Sequence, residues 1–547
     1  MFEKIIIRIV LLLLVVASLF FLVNACEERF RNQDDDEILQ TEQKVQAGKN
    51  HLQDQDSLVY LDDVNNQFSN HVDGYTVAIP KEFGVDRSNH EIVTVLGDSN
   101  WQMAVYKQEL STDVKPESYI QYSNQFIENR VDHKKEREET LWINGHEVHL
   151  LQWSREALPS VAQDKNHYAV CDIIINDWLV YTLSFKSTES FGAERDYMAI
   201  VNSFQLCKSS KKGGKTQGKQ EQEVVKNTKW SEKTNQVFKK YFSQDSPLTW
   251  GIFEPCAPEF MQVLHEMEGY LDYEFPFLIS YQHFTREGIP ENLQTMFSNA
   301  KKEEKILELS LQTTAQNSTE GNMVYDILKG EFDEYIDQLG ATIKDYKMPV
   351  LMRFCNEMNG DWCLYSGYHT SRDPEIFKTL YQYVYKKFEE NGASAYTIWV
   401  FNPNEKSMPT FKWNDQSLYY PGDSYVDVIG LTGYNTGTYY TGEVWRSFDE
   451  IYRDLYIDMV RIYDKPLMIT EFASSSVGGN KGAWIEEMFQ QIRKYDKLKV
   501  AIWWNGRDLD ANGTVARPYW LDETQETFQA FKRGLQTQFP QEKQKKQ

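Results

Sequence analysis

Cysteine is scarce in this chain. Its 547 residues hold six, and beyond Cys26 in the N-terminal apolar run there remain Cys171, Cys207, Cys256, Cys355 and Cys363. An odd and scattered set excludes a disulfide framework, although a single Cys171–Cys207 bridge stays open. No CxxC pair or His/Cys cluster suggests a metal, and no cofactor is expected. His71, His146, His149 and His167 are spread along the first half and read as surface or strand residues, not ligands. Positive charge is also short: 58 Lys and Arg face 81 Asp and Glu, for a net charge of −23. That balance repels nucleic acid and anionic lipid surfaces, so no nucleic-acid partner is expected. A neutral polymer such as a polysaccharide needs no charge steering and remains compatible. Aromatics, at 14% of residues, suit either sugar stacking or large cores.

Only one long hydrophobic run is present. Lys4 and Arg8 precede apolar Ile9–Val23, followed by Asn24, Ala25 and Cys26, the order of an export signal. Val23-Asn24-Ala25-Cys26 resembles a bacterial lipobox, which would make Cys26 the lipidated residue. The alternative is an uncleaved signal anchor, since the run is nearly long enough to span a bilayer. Either way the expected location is extracytoplasmic, with the chain held to the cell membrane by its N-terminal lipid or anchor.

Beyond residues 1–26, segment 27–59 is polar and acidic and reads as a disordered tether. Residues 60–207 turn strand-rich. Tyr75, Val77 and Ile79 alternate, as do Trp101, Met103 and Val105; Val148–Trp153 and Ile173–Phe185 read as further strands, with helices near Pro116–Arg130 and before Phe204. This is a small α+β domain, and its opening strand and closing VNSF resemble the PsbP/Mog1-like domains of bacterial lipoproteins. Residues 208–230 (opening with KSSKKGGKTQGKQEQ) read as a linker. A fragment from about Asn227 is therefore expected to fold and act alone, since few contacts should cross such a boundary.

From 231 to 540 the rhythm is strand then helix, repeated. Candidate strands are Leu248–Phe253, Pro276–Tyr281, Lys305–Leu311, Pro349–Phe354, Ala395–Phe401, Val426–Leu431, Pro466–Thr470 and Val500–Trp504. Asp373 caps one helix and Pro374 occupies its first turn. After the fifth strand a long aromatic loop replaces the helix. Eight strands in this length fit a (β/α)8 TIM barrel. A doubly wound open sheet would want a Gly-rich phosphate turn after its first strand, and Gly251-Ile252-Phe253-Glu254 is not one. The fold class is thus α/β, a barrel preceded by the smaller α+β domain.

Two carboxylates stand directly after apolar strands, where barrel enzymes keep their chemistry. MPVLMRFCNEMNGDW carries Glu357 after the fourth strand, and KPLMITEF ends at Glu471 after the seventh. Such a pair suits the acid and nucleophile of glycoside hydrolysis. Arg353, Glu357, Met358, Asn359, Gly360 and Trp362 resemble the acid/base signature of glycoside hydrolase family 26, and ITEF its nucleophile strand. The resemblance implies a retaining, mannan endo-1,4-β-mannosidase-like hydrolase with Glu357 as acid/base and Glu471 as nucleophile. It also implies substrate contacts from Trp362, Tyr434 and Trp503, with Asn505 following. By strand alternation Trp504 then points the other way, into the core. Arg353 would hold a neighbouring carboxylate ionised, and Trp399, Asn402 and His283 are further cleft candidates. Two positions depart from the family: Asn356 stands where it has His, and Thr432 where it commonly has Asp. Related barrels carry Asn-Glu, with the amide on the sugar 2-hydroxyl, so the departures bear on the substrate. A β-glucanase, an enzyme trimming the cell's own exopolysaccharide, and a non-catalytic surface glycan-binding lipoprotein stand as alternatives.

Overall fold

The computed structural model describes residues 52–53, 56–192, 195–209, 230–313 and 321–538. The apolar N-terminal run with Cys26, most of the tether and most of the linker lie outside the described residues. Among the described residues no helix is long and apolar enough to cross a membrane.

Eight strands close into a barrel: β1 (Thr249–Phe253), β2 (Phe277–His283), β3 (Ile306–Gln312), β4 (Val350–Phe354), β5 (Thr397–Phe401), β6 (Val428–Thr432), β7 (Leu467–Phe472) and β8 (Leu498–Trp504). Each pairs in parallel with its chain neighbour, and β1 closes on β8. All eight C-terminal ends therefore meet at one mouth. Parallel strands covered on both faces need apolar residues throughout, and every residue of β4, β5 and β6 is buried. Leu351, Ile398, Val400, Val428, Met468, Val500 and Ile502 fill the interior.

The helix Glu232–Phe242 precedes β1 and seals the opposite end. Ser231 caps it, and its Val237, Tyr241 and Phe242 join the interior cluster beside Phe277 and Ile306. Each such side chain contributes about 1.5–3 kcal/mol on burial. Outside, Asp373 caps the helix Pro374–Glu390, whose Ile376, Phe377, Leu380, Tyr381, Val384 and Phe388 form the buried stripe. Residues 402–427 hold only three short 3-10 turns, leaving a long loop over the mouth.

The N-terminal domain consists of two antiparallel sheets. The larger has seven strands, ordered Gly84–Asp86, Thr94–Gly97, Trp101–Glu109, Leu179–Ser187, His167–Asn176, His146–Ser154 and Lys134–Ile143. Ile173–Phe185 is thus a hairpin turning at residues 177–178, where Asn176 accepts from the Trp178 amide at 3.0 Å. The smaller sheet opens with Asp56–Tyr60, inside the segment read as tether. Arg87, fully buried, pairs with Asp56 at 3.2 Å and anchors that strand. Cys171 and Cys207 are both free thiols.

The two domains are closely joined, contrary to the expectation drawn from the linker. Tyr106, Tyr119, Ile120 and Val180 share one apolar cluster with Tyr368 and Trp413 of the barrel. The buried Arg372 guanidinium reaches across to Asp172 at 3.4 Å and to Tyr119 at 2.7 Å. Composition marks residues 208–230 as a linker but carries no sign of the complementarity of the surfaces on either side. A cavity of about 240 Å³ also lies on this boundary, lined by Lys186, Arg372 and Asp373, and not at the two glutamates.

Candidate active site

The site lies at the mouth and begins with β4. Leu351 packs inside the barrel, so Arg353, two residues on, also points inward. Past Phe354 the backbone turns sharply: Cys355 and Glu357 hold φ of 47° and 57°. Left-handed backbone at non-glycine residues costs about 1–3 kcal/mol each and persists where neighbours enforce it. Here the Cys355 amide donates to Leu311 at 2.8 Å, and the Glu357 amide to the Asn402 carbonyl at 2.7 Å.

Glu471 reaches the mouth through an irregularity in β7. Ile469 and Phe472 both pack outward into the cluster under the helices, which strict alternation forbids for residues three apart. The register against β8 slips between these two residues, and against β6 between Leu431 and Thr432. The extra residue of this bulge re-aims Glu471. One carboxylate oxygen accepts from Arg353 Nη2 at 2.6 Å and from the Tyr281 hydroxyl; the other accepts from Tyr434 at 3.0 Å. Arg353 also reaches the fully buried Glu308 at 3.1 Å. Burial pushes the Glu308 carboxyl up to about 8, against the pull of Arg353 and with the charge of Glu471 adding to the rise. Burial thus opposes ionisation of Glu308, while Arg353 makes its shorter contact, 2.6 Å, with Glu471.

Among the described residues Glu357 has no ion-pair partner. Its Oε1 accepts from Asn404 Nδ2 at 2.5 Å, and its Oε2 from the Trp362 indole at 3.4 Å. Burial, then the nearby charge of Glu471, raises its carboxyl to about 7. Trp362 is 52% exposed and lies over Gly360, where a Cβ would come within 2.5 Å of its ring. Only glycine lets the indole settle there. Asn356 is buried; its side-chain oxygen accepts from Ser310 at 3.1 Å and Gln312 at 2.6 Å, leaving its N–H pair as donors.

Glu357, Glu471, Arg353, Asn356, Trp362 and Tyr434 thus gather at one end of the barrel. His283 ends the inward row of β2 that includes Tyr281, and stands exposed at the rim. Three other residues do not join them. Trp503 is fully buried on the outer side of β8, against Phe472 and Phe531 at 5.4 and 5.6 Å. Val500 and Ile502 face inward, so by alternation the mouth receives Trp504 instead. Its indole donates to Tyr281 at 3.1 Å, and its ring meets Tyr434 edge-on at 6.1 Å. Trp399 packs outward on Tyr381, Tyr385 and Phe388. Asn505 ties β8 to the next loop, accepting from the Leu521 amide at 2.7 Å. Asn402 is a positioning residue under Glu357: its carbonyl holds that amide, while its side chain accepts from Thr432 at 3.1 Å and Thr470 at 2.9 Å.

Tyr281, Glu308, Asn404 and Trp504 are the site residues that sequence reading left out. Inward parity on β2, β3 and β8 would have found three of them; Asn404 lies in the loop after β5 and has no such signal.

Parts of the chain are similar to known proteins. Residues 280–502 match the model of Glycosyl hydrolase family 26. Over 186 residues the chain is 36% identical to Endoglucanase H of Acetivibrio thermocellus, covering 33% of this chain and 20% of that protein. Over 169 residues it is 27% identical to a mannan endo-1,4-beta-mannosidase of Bacillus subtilis, covering 30% of this chain and 41% of that one. The chain therefore spans well under half the length of either relative. The solved catalytic domain of a Bacillus sp. endo-β-1,4-mannanase aligns with 57% of this chain and 91% of its own at 17% identity, with a TM-score of 0.44. The segment 280–502, from β2 through most of β8, is a glycosyl hydrolase family 26 domain.

Proposed function

We propose that this chain is a retaining glycoside hydrolase acting on a β-linked hexose polysaccharide. One observation carries the reading: two glutamates at one mouth hold opposite electrostatic surroundings. Glu471 accepts from a guanidinium and two phenols, the donor set that suits a carboxylate nucleophile. Glu357 is held mainly by an amide and raised to about 7, which favours its acid. Carboxyls whose environments push them apart in this way take the nucleophile and acid roles.

In the first step Glu471 attacks the anomeric carbon. The glycosidic C–O bond breaks, and its electron pair goes to the leaving oxygen, which takes the proton of Glu357. In the second, the Glu357 carboxylate takes a proton from water as the water oxygen attacks the same carbon and frees Glu471. The Asn356 amide donates to the sugar 2-hydroxyl, and Trp362 and Trp504 offer stacking faces. No step calls for a metal or cofactor.

β-1,4-Mannan is the first substrate to consider. Asn356 at the position before the acid, together with the similarity to an endoglucanase, supports a β-glucan as second. The presence of both glutamates weighs against a purely glycan-binding role. Reducing-sugar release from mannan, glucomannan, mixed-linkage glucan, xylan and host exopolysaccharide decides among these. Release from none of them would refute the enzyme reading. We further propose that the N-terminal apolar run holds the enzyme at the outer face of the cell membrane, by lipid on Cys26 or as an anchor.

A further inference from the structure

The loop of residues 355–373 carries Glu357 and Trp362, and it is strained at both ends. Beyond the Cys355 and Glu357 turn, Ser371 and Arg372 hold φ of 57° and 53°. The barrel itself secures the Glu357 end: Asn404 donates its amide to Asn359 at 2.8 Å, and Tyr365 donates to the Asn356 carbonyl at 2.7 Å. Further along, the barrel holds the loop at Leu364 and Gly367, through Asn322 at 2.7 Å and Tyr419 at 3.0 Å, and the other domain adds its own contacts. Ser371 meets His133 Nε2 at 3.0 Å, and Arg372 is enclosed by Tyr119, Asp172 and Thr182. Tyr122 donates to the carboxylate of Asp361, the residue before Trp362, and Tyr368 donates to Gln125. From the flank, Trp413 donates to Ser123 at 3.0 Å while its neighbour Asn414 donates to the Asn359 carbonyl at 2.8 Å.

We infer that the N-terminal domain is a working part of the hydrolase, whose helix Pro116–Ser123 and following turn Gln125–Glu128 position the acid/base through the Asp361–Trp362 segment. The inference rests on the assignment of Glu357 as acid/base. Tyr122 and Gln125 touch no substrate in this scheme; they are positioning residues. A strained loop keeps its conformation only while its surroundings over-determine it, and here a large part of those surroundings belongs to a different domain.

The test uses the full-length chain. Tyr122→Phe and Gln125→Ala each remove one side-chain contact to the loop without opening the barrel. For each, kcat/KM is measured on the polysaccharide, whose leaving oxygen needs a proton, and on a 2,4-dinitrophenyl β-glycoside, whose leaving group does not. Displacing the proton donor costs the first reaction alone, so the expected result is about a tenfold loss on polysaccharide and a change within about twofold on the aryl glycoside. Glu156→Gln removes a cross-domain ion pair to Lys329, 2.6 Å long and made to a residue outside the loop, and should move neither rate. Equal losses on both substrates would mean general loosening of the barrel and overturn the inference, as would no loss on either. A Glu357→Gln variant whose kcat/KM falls as far on the aryl glycoside as on the polysaccharide would overturn the acid/base assignment itself, and with it this inference.

Discussion

Replacing Glu357 and Glu471 by glutamine should disable the protein in two distinguishable ways. Glu357→Gln removes a proton donor, worth about 10²–10⁴-fold in rate where the leaving group needs the proton. A 2,4-dinitrophenolate leaves without it, so the variant should still form the glycosyl-enzyme from that substrate. The water step then lacks its base, and turnover stalls after a burst of phenolate equal to the enzyme concentration. Azide, which needs no base, should relieve the stall and yield a β-glycosyl azide. The folded state should tolerate the change. Raising the Glu357 carboxyl from 4.5 to about 7 disfavours its anion by about 3 kcal/mol. Because the folded value lies above the unfolded one, this group's contribution to stability is greatest below pH 4.5 and is lost as pH rises toward 7. Glutamine never ionises, so at pH 8 the variant should melt no lower than the wild type. Glu471→Gln differs on every count. No covalent intermediate forms, so neither burst nor azide rescue appears and all substrates slow by orders of magnitude. It also leaves the buried Arg353 without its anion, a loss of about 3–5 kcal/mol unless Glu308 ionises in its place. Rapid-quench phenolate release with and without azide separates the two outcomes. Identical profiles for the two variants would refute the assignment of roles, and unchanged hydrolysis in both would refute the two-carboxylate reading altogether.

Three further outcomes follow from the same site. The acid must be protonated in the free enzyme, so kcat/KM on polysaccharide should fall about tenfold per pH unit above pH about 7, while aryl glycoside cleavage stays flat there. Trp504→Ala should weaken polysaccharide binding and turnover with a small change in melting temperature; Trp503→Ala should cost about 3–5 kcal/mol of stability, seen in denaturant melts. If Cys26 carries the lipid, Cys26→Ser abolishes incorporation of a labelled lipid precursor; unchanged incorporation refutes the lipobox reading and leaves the anchor.

The barrel was legible because parallel strands buried on both faces leave short, nearly unbroken apolar runs, and all eight stand within a few residues of where those runs lie. Glu357 and Glu471 were legible for a related reason: a carboxylate directly after such a run has nowhere to go but the mouth. What failed was orientation. Trp503 was assigned from the resemblance and Trp504 by alternation counted off it, while the neighbours Val500 and Ile502 already set the inward parity that selects Trp504. Tyr281, inside the run FLISYQH, reads as one more barrel-filling side chain until its hydroxyl is seen on Glu471. The β7 bulge left no mark in LMITEF. The domain interface was the least legible feature. Its partners Tyr122 and Asp361 lie 239 residues apart, and Tyr119 and Arg372 lie 253 apart. Neither surface carries a periodicity that announces the other.

The pairing of Arg353 with two glutamates has a consequence for how the nucleophile is kept ready. If Glu308 and Glu471 were both ionised, Arg353 would divide its hydrogen bonds between two anions in a space that excludes water, and the total charge there would be negative. Burial instead favours the protonated form of Glu308, which would leave the trio with one cation and one anion. The net charge of the buried group is zero, which is the arrangement with the smallest desolvation penalty. Glycosylation then neutralises Glu471 by esterification and leaves Arg353 with no anion beside it. At that moment the balance at Glu308 reverses: the neighbouring negative charge that raised its carboxyl is gone, while the pull of Arg353 at 3.1 Å remains. Its proton becomes easier to lose just when a new anion would stabilise the guanidinium. A neutral carboxyl beneath the Arg353–Glu471 pair thus confines the charge to the nucleophile before the reaction and limits the cost of the unpaired cation after it. An aliphatic residue at 308 would give the first effect without the second.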